Sequence, residues 1–189
     1  KRDVSGLFWK GQNTITLTGE ATPEIELESV YVIGDFAVET DDRRTFALAR
    51  EDGETEGGDL VDQGYPFYAG TMSLTQTFAL DGVPARALLS LEGLAAVVAD
   101  VWINGENAGQ LCWDPWEIEI GELLVEGENT IRVDLVHSLR NLLGPHHHQH
   151  GELKGVGPGS FSDERNWTDI YQFVPFGIAE AVITMEIED

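Results

Sequence analysis

Residues Ala96–Val136 read AVVADVWINGENAGQLCWDPWEIEIGELLVEGENTIRVDLV, and this stretch decides the fold. In VVADVWI the apolar side chains alternate, so Val97, Ala99, Val101 and Ile103 share one face of an extended segment. Asn104-Gly105 follows, the dipeptide that most readily supplies two consecutive positive φ angles, and AGQLCW returns as the partner strand. WEIEI alternates again, with Trp116, Ile118 and Ile120 on one side. GELLVEGEN supplies a turn, and NTIRVDLV closes with Ile131, Val133 and Leu135 pointing inward. Short strands with one apolar face each, joined by turn chemistry, predict an all-β, antiparallel sandwich.

Outward from this stretch the pattern holds. TMSLTQTFAL predicts a strand with Met72, Leu74, Gln76 and Phe78 on one face, and ARALLSLEGL predicts another. Strand content is expected around Val30, Val32, Phe36 and Val38, interrupted at Gly34-Asp35, and in TFALAR. EDGETEGGD reads as a solvated loop, and GYPFYAG, residues 64 to 70, as an aromatic turn. HSLRNLLGP predicts a short helical turn stopped by Gly144-Pro145. HHHQHGELKGVGPGSFSDERNW predicts a long polar loop, and Tyr171 to Pro175 and Ile178 to Ile187 the last strands.

The N-terminus repeats part of the central stretch. Residues 3 to 17, DVSGLFWKGQNTITL, match residues 119 to 133, EIGELLVEGENTIRV, at a constant offset of 116. Leu7/Leu123, Gly11/Gly127, Asn13/Asn129, Thr14/Thr130 and Ile15/Ile131 coincide. Two copies fall short of a solenoid. The expected organisation is residues 1-20 as the closing strand of a preceding or split β-module, and residues 21-189 as the sandwich itself.

The hairpin and closing motif resemble the sugar-binding jelly roll of family 2 glycoside hydrolases, a module of the galactose-binding-like β-sandwich type. The matching residues are Val101, Trp102, Ile103, Asn104, Gly105, Gly109, Leu123, Leu124, Gly127, Asn129, Thr130, Ile131 and Val133. A broader likeness, in VYVIGDFAV, QGYPFYAG, SLRNLLGPHHH and YQFVPFGI, runs from about Val30 to Ile178. It resembles the C-terminal β-sandwich region of large bacterial glycoside hydrolases, α-L-rhamnosidase-like proteins included. The resemblance implies a non-catalytic accessory domain, partnered by the catalytic domain of the same polypeptide and, as a further expectation, by carbohydrate. A purely structural interdomain module is the alternative it leaves open.

Composition bounds the function further. With 189 residues the chain can bury a sizeable core but is too short for a complete (β/α)₈ barrel of about 250 residues. A formal net charge of −23 argues against nucleic acid and anionic membrane surfaces as partners. No apolar run reaches transmembrane length and no signal peptide is visible. Together with the resemblance this suggests a piece of a larger protein, whose localisation would be the parent's: secreted or cell-surface favoured, cytoplasmic left open. Cys112 is the only cysteine and sits in strand pattern, which suits a small buried residue better than a nucleophile.

Three groups of residues could carry chemistry. Glu117-Ile-Glu119-Ile-Gly-Glu122 resembles the E-[I/L]-D-[I/V]-x-E of laminarinase-type jelly-roll glycosidases, with glutamate in the central place. A glycosidase using Glu117 and Glu122 is therefore a minor alternative, against a strand with solvent-facing glutamates. His146, His147, His148 and His150 could ligate a metal, with Asp163 as a further donor. Alternation makes His146 with His148, or His148 with His150, the geometric pair; solvated or interface histidines need no metal, and no cofactor is expected. Trp113, Tyr68, His137, Arg140, Asn141, His146 and His148 are the candidate carbohydrate-binding residues, because sugars offer C–H faces to aromatic rings and hydroxyls to polar side chains. Trp167 and Tyr65 also lie in or beside loops, whereas Trp102 and Trp116 are expected in the core. No nucleophile elbow, HExxH, CxxC or phosphate-binding loop occurs.

Overall fold

A computed structural model describes residues 1–20, 22–25, 29–152, 155 and 164–186. They fall into two compact units, Lys1–Gly34 and Asp35–Asp189.

The second unit is the sandwich, and its element order follows from the alternation. Its strands are β1 (Ala37–Glu39), β2 (Ala47–Ala49), β3 (Gly58–Asp59), β4 (Gly70–Leu80), β5 (Arg86–Glu92) and β6 (Val98–Ile103). They continue as β7 (Glu106–Leu111), β8 (Glu117–Glu119), β9 (Gly127–His137), β10 (Gly177–Ile178) and β11 (Glu180–Glu186). One sheet has the order β4-β9-β6-β7 and a second the order β11-β5-β8, with β1-β2 and β10-β3 as short pairs, and every pairing is antiparallel.

The central stretch does not stay in one sheet. β6 and β7 form the expected hairpin, with Asn104 at φ 52° and Gly105 at φ 86°. The chain then bends through Trp113 and Pro115 and enters the other sheet as β8 against β5. A 3₁₀ turn, Gly121–Leu123, brings it back to β9, which pairs with both β4 and β6. Ala99, Val101 and Ile103 from β6, Ala87, Leu89 and Leu91 from β5, and Ile131, Val133 and Leu135 from β9 form one buried cluster between the sheets. Burying a side chain of this size stabilises by about 1.5–3 kcal/mol, so this cluster is the main source of stability.

Several local expectations shift. Val97 lies just ahead of β6 and is exposed, its amide donating to Val136 at 2.9 Å, so the inward alternation starts at Ala99. Trp102, on the outward parity of β6, is not in the core: it faces Arg132 of β9, whose guanidinium carbon stands 4.5 Å from the indole centroid. Trp116 does pack against the core. Of the strand content expected between Val30 and Val38, only Ala37–Glu39 pairs among the described residues. Tyr171 to Pro175 forms no strand, because its polar groups go to loops: the Tyr171 amide to Arg43 and the Gln172 amide to His146. The helical turn appears as α1 (Arg140–Leu143), ended by Gly144 at φ 84°. The final strand is described as far as Glu186; Ile187 lies outside the described residues.

In the first unit no helix or β-ladder occurs among the described residues. Its order comes from turns. The Leu7 amide donates to the Val4 carbonyl at 2.8 Å, and Asn13 closes a second turn with its side chain. Leu7, Trp9, Ile15, Leu17, Val30 and Ile33 are all exposed.

Candidate functional site

Six of the seven sequence-selected residues sit in an internal latch. Tyr68 and His137 both lie against the fully buried Phe176 ring, His137 stacked at 4.1 Å and Tyr68 at 5.9 Å. The Tyr68 hydroxyl donates to the Thr71 carbonyl at 2.6 Å. His137 is buried, and its Nε2 has no hydrogen-bond partner among the described residues. Burial pushes its imidazole below the ordinary value, with the nearby Asp59 charge acting in opposition.

Asn141, fully buried, works as a side-chain strand pair: its Nδ2 donates to Val174 O at 2.9 Å and its Oδ1 accepts Val174 N at 2.9 Å. Arg140 holds Glu152, with Nε donating to Oε1 at 2.7 Å. The histidine segment is not a free polar loop. It runs antiparallel to residues 166–172, with Thr168 N donating to His147 O at 3.1 Å and Gln172 N to His146 O at 2.7 Å. His146 Nε2 lies 2.8 Å from Asn141 O, and burial pushes its imidazole down, with Arg140 and His147 adding to the shift. His148 is buried and bridges Trp167. The His146 ring also meets Phe67, Tyr171 and Phe173. These contacts fasten the C-terminal loops to one another, a use of polar residues that sequence alone could not separate from ligand binding.

Trp113 stands apart in the β7–β8 bend, 76% exposed. Trp167 is exposed too, with His147 stacked on it at 4.4 Å and Asp169 accepting from its Nε1 at 3.1 Å. Among the described residues no group of three His, Cys, Asp or Glu side chains converges to hold a metal ion; Asp163 lies outside them. Glu117 and Glu119 share the outward face of β8. Glu119 is ion-paired to Arg86, and Glu117 accepts from Ser90 at 3.3 Å. Glu122 is exposed in the 3₁₀ turn.

A surface opening lies elsewhere. Among the described residues the β4 edge of one sheet and the β11 edge of the other each lack a further partner, and between them the sandwich gapes into a cleft of about 720 Å³. Its apolar floor includes Met72, Leu74, Ile131 and Val133. Polar groups enter from Gln76, from Tyr65 and from the glutamates at 51, 54, 56 and 180. Among the described residues no Lys, Arg or His lines it, and none of the seven sequence-selected residues does. The Tyr65 hydroxyl donates to Glu51 Oε1 at 2.9 Å; burial, then this bond, pushes its pKa up to about 12, so it remains a donor. A volume of this order suits a small ligand. Carboxylates can accept from hydroxyls, Gln76 can both donate and accept, and the floor can meet C–H surface. The acidic rim repels anions. The β4 alternation puts Gln76 on the same strand face as Met72 and Leu74, but it is exposed there, and the sequence pattern alone did not mark it as a binding residue.

The fold and cleft define an all-β sandwich with a ligand-sized opening at one side. No protein-family model matches the chain, and no curated protein matches it. Among solved structures it is similar to a rhamnosidase from Novosphingobium sp. PP1Y, at 19% identity and a TM-score of 0.48 over 78% of this chain and 14% of that one. It is similar also to a β-glucuronidase from Bifidobacterium dentium, at 19% identity and a TM-score of 0.41 over 67% of this chain and 23% of that one. A GH2 β-galacturonidase from Eisenbergiella tayi is another such structure, at 18% identity and a TM-score of 0.42 over 81% of this chain and 22% of that one. The chain thus spans less than a quarter of the length of each.

Proposed function

We propose that the chain is a non-catalytic accessory β-sandwich of a larger bacterial glycoside hydrolase, resting against the catalytic domain and holding neutral carbohydrate in the cleft between β4 and β11. The family assignment rests on the resemblance of the Asn104-Gly105 hairpin and the closing Gly127-to-Val133 motif. The ligand class rests on one observation: an apolar floor rimmed by hydroxyl-accepting carboxylates, with no cation among the described residues of its lining. A uronic acid would meet repulsion there, whereas a neutral sugar would exchange water for the carboxylates and Gln76. Calorimetric titration with neutral oligosaccharides, rhamnose, galactose and glucuronic acid tests this. Saturation by a neutral sugar, lost in Gln76→Ala and Tyr65→Ala but retained in Trp113→Ala, supports the cleft. A flat response from folded protein to every sugar removes the carbohydrate reading.

A purely structural interdomain role is the second reading. It is favoured by the apolar side chains that the first unit leaves exposed, Leu7, Trp9, Ile15 and Leu17 among them.

A further inference from the structure

The sequence repeat is also a repeat of hydrogen bonds. In the sandwich, Asn129 Oδ1 accepts Val125 N at 2.9 Å, and its Nδ2 donates to Val125 O at 2.7 Å and Gly127 O at 3.1 Å. In the first unit, Asn13 Oδ1 accepts Trp9 N at 3.1 Å, and its Nδ2 donates to Trp9 O and Gly11 O at 2.9 Å each. The glycine between is at φ 92° in one and φ 112° in the other. The preceding turn matches as well, Leu123 N to Ile120 O against Leu7 N to Val4 O. Sequence separated by the same offset thus builds the same turn twice.

Beyond the turn the two copies diverge. Ile131 and Val133 are buried, whereas their counterparts Ile15 and Leu17 are 52% and 75% exposed. Asn129 Oδ1 takes a second bond, from Asn104 Nδ2 at 2.9 Å, and among the described residues Asn13 Oδ1 takes none besides Trp9 N. The turn is complete, and no β-ladder accompanies it among the described residues.

We propose that residues 3–17 are the closing turn and strand of a second β-sandwich, one that brings its own Asn-Gly hairpin and lacks such a strand itself. The hairpin asparagine would donate to Asn13 Oδ1, and Ile15 and Leu17 would enter that sandwich's core. A second copy of this chain does not fit the role, because β9 already fills the corresponding place and is paired on both edges. The proposal rests on the sandwich fold and is independent of carbohydrate binding, so the two fail separately.

The test is a graft in the full chain, with residues 122–133 replaced by the sequence of residues 6–17. Since the graft adds bulk at two core positions, it is expected to melt in one transition within about 10 °C of the parent, followed by circular dichroism. A second graft, with the order of residues 14–17 changed from TITL to ITLT, turns the apolar side chains outward and is expected not to fold. Cooperative melting of that inverted graft overturns the proposal. So does an unfolded first graft when the parent carrying Leu124→Phe and Val133→Leu still folds. If that double variant unfolds, a graft retaining Leu124 and Val133 takes the place of the first, and its failure is decisive. Sedimentation of the parent chain separates the remaining occupant. A monomer is expected; a dimer abolished by Leu17→Asp would give the strand to a second copy and overturn the proposal.

Discussion

Asn104 Nδ2 donates to Asn129 Oδ1 at 2.9 Å, and the bond ties the β6–β7 hairpin to the turn that opens β9. Asn104 also donates to Leu123 O at 2.8 Å and accepts the Thr130 amide at 2.9 Å. Asn129 is wholly buried. Asn129→Ala therefore removes the four bonds that this buried side chain makes, with the Val125 amide and carbonyl, the Gly127 carbonyl and the Asn104 amide group, each worth about 0.5–1.5 kcal/mol. Urea denaturation is expected to show a loss of about 3 kcal/mol or more. Asn13→Ala, which breaks the same turn where it is solvent-accessible, is expected to change stability by less than about 0.5 kcal/mol.

Gly109 occupies β7 at φ 144°, where a Cβ would stand 2.8 Å from Ile118 Cδ1 on the opposite sheet. Gly109→Ala is expected to cost about 1–2 kcal/mol through backbone strain and overpacking. Ile118→Val removes the clashing methyl and should recover part of that loss, which a double-mutant cycle would measure as coupling between the two sheets.

Acidification should weaken the fold through His137 and His146. Burial holds both imidazoles below their ordinary value, so in this range the unfolded chain binds more protons than the native one. Their contribution is fully present above about pH 6.5 and is lost as the pH falls below it. Denaturation at pH 7.5 and pH 5.5 checks this, and His137→Gln should make the difference between the two smaller.

Charge in the proposed binding cleft is expected to set the sign of the ligand it tolerates. Glu54→Lys combined with Glu56→Lys is expected to improve binding of glucuronic acid relative to a neutral sugar, with the gain reduced at high salt. Unchanged selectivity in titrations at low ionic strength would place the ligand elsewhere.

The alternation in β5, β6 and β9 and the Asn104-Gly105 turn made the sandwich legible, because period-two burial and positive φ angles are local properties. Its division between sheets was not local: nothing in WEIEI says that Ile118 pairs beside Leu89 rather than beside its neighbour strand. The contacts of the candidate residues were not local either. Arg140, Asn141 and His146 carry polar chemistry suited to a sugar, and the groups they bond within the fold, on Glu152, Val174 and Gln172, lie further along the chain where no sequence pattern pairs them. Gln76 was read only as sharing a strand face with Met72, Leu74 and Phe78, and nothing in that local pattern says that the β4 edge borders a cleft.

The path of the central stretch from one sheet to the other and back also orders assembly in time. Asn104 and Asn129 are 25 residues apart, and the segment between them already touches both layers. Closing that loop costs little chain entropy, so β6 to β9 can nucleate the structure. The pairing of β5 with β11, Arg86 opposite Glu186, must span just over half the chain and comes late. The cleft between β4 and β11, which needs β11 as a wall, consequently takes shape late when the molecule folds.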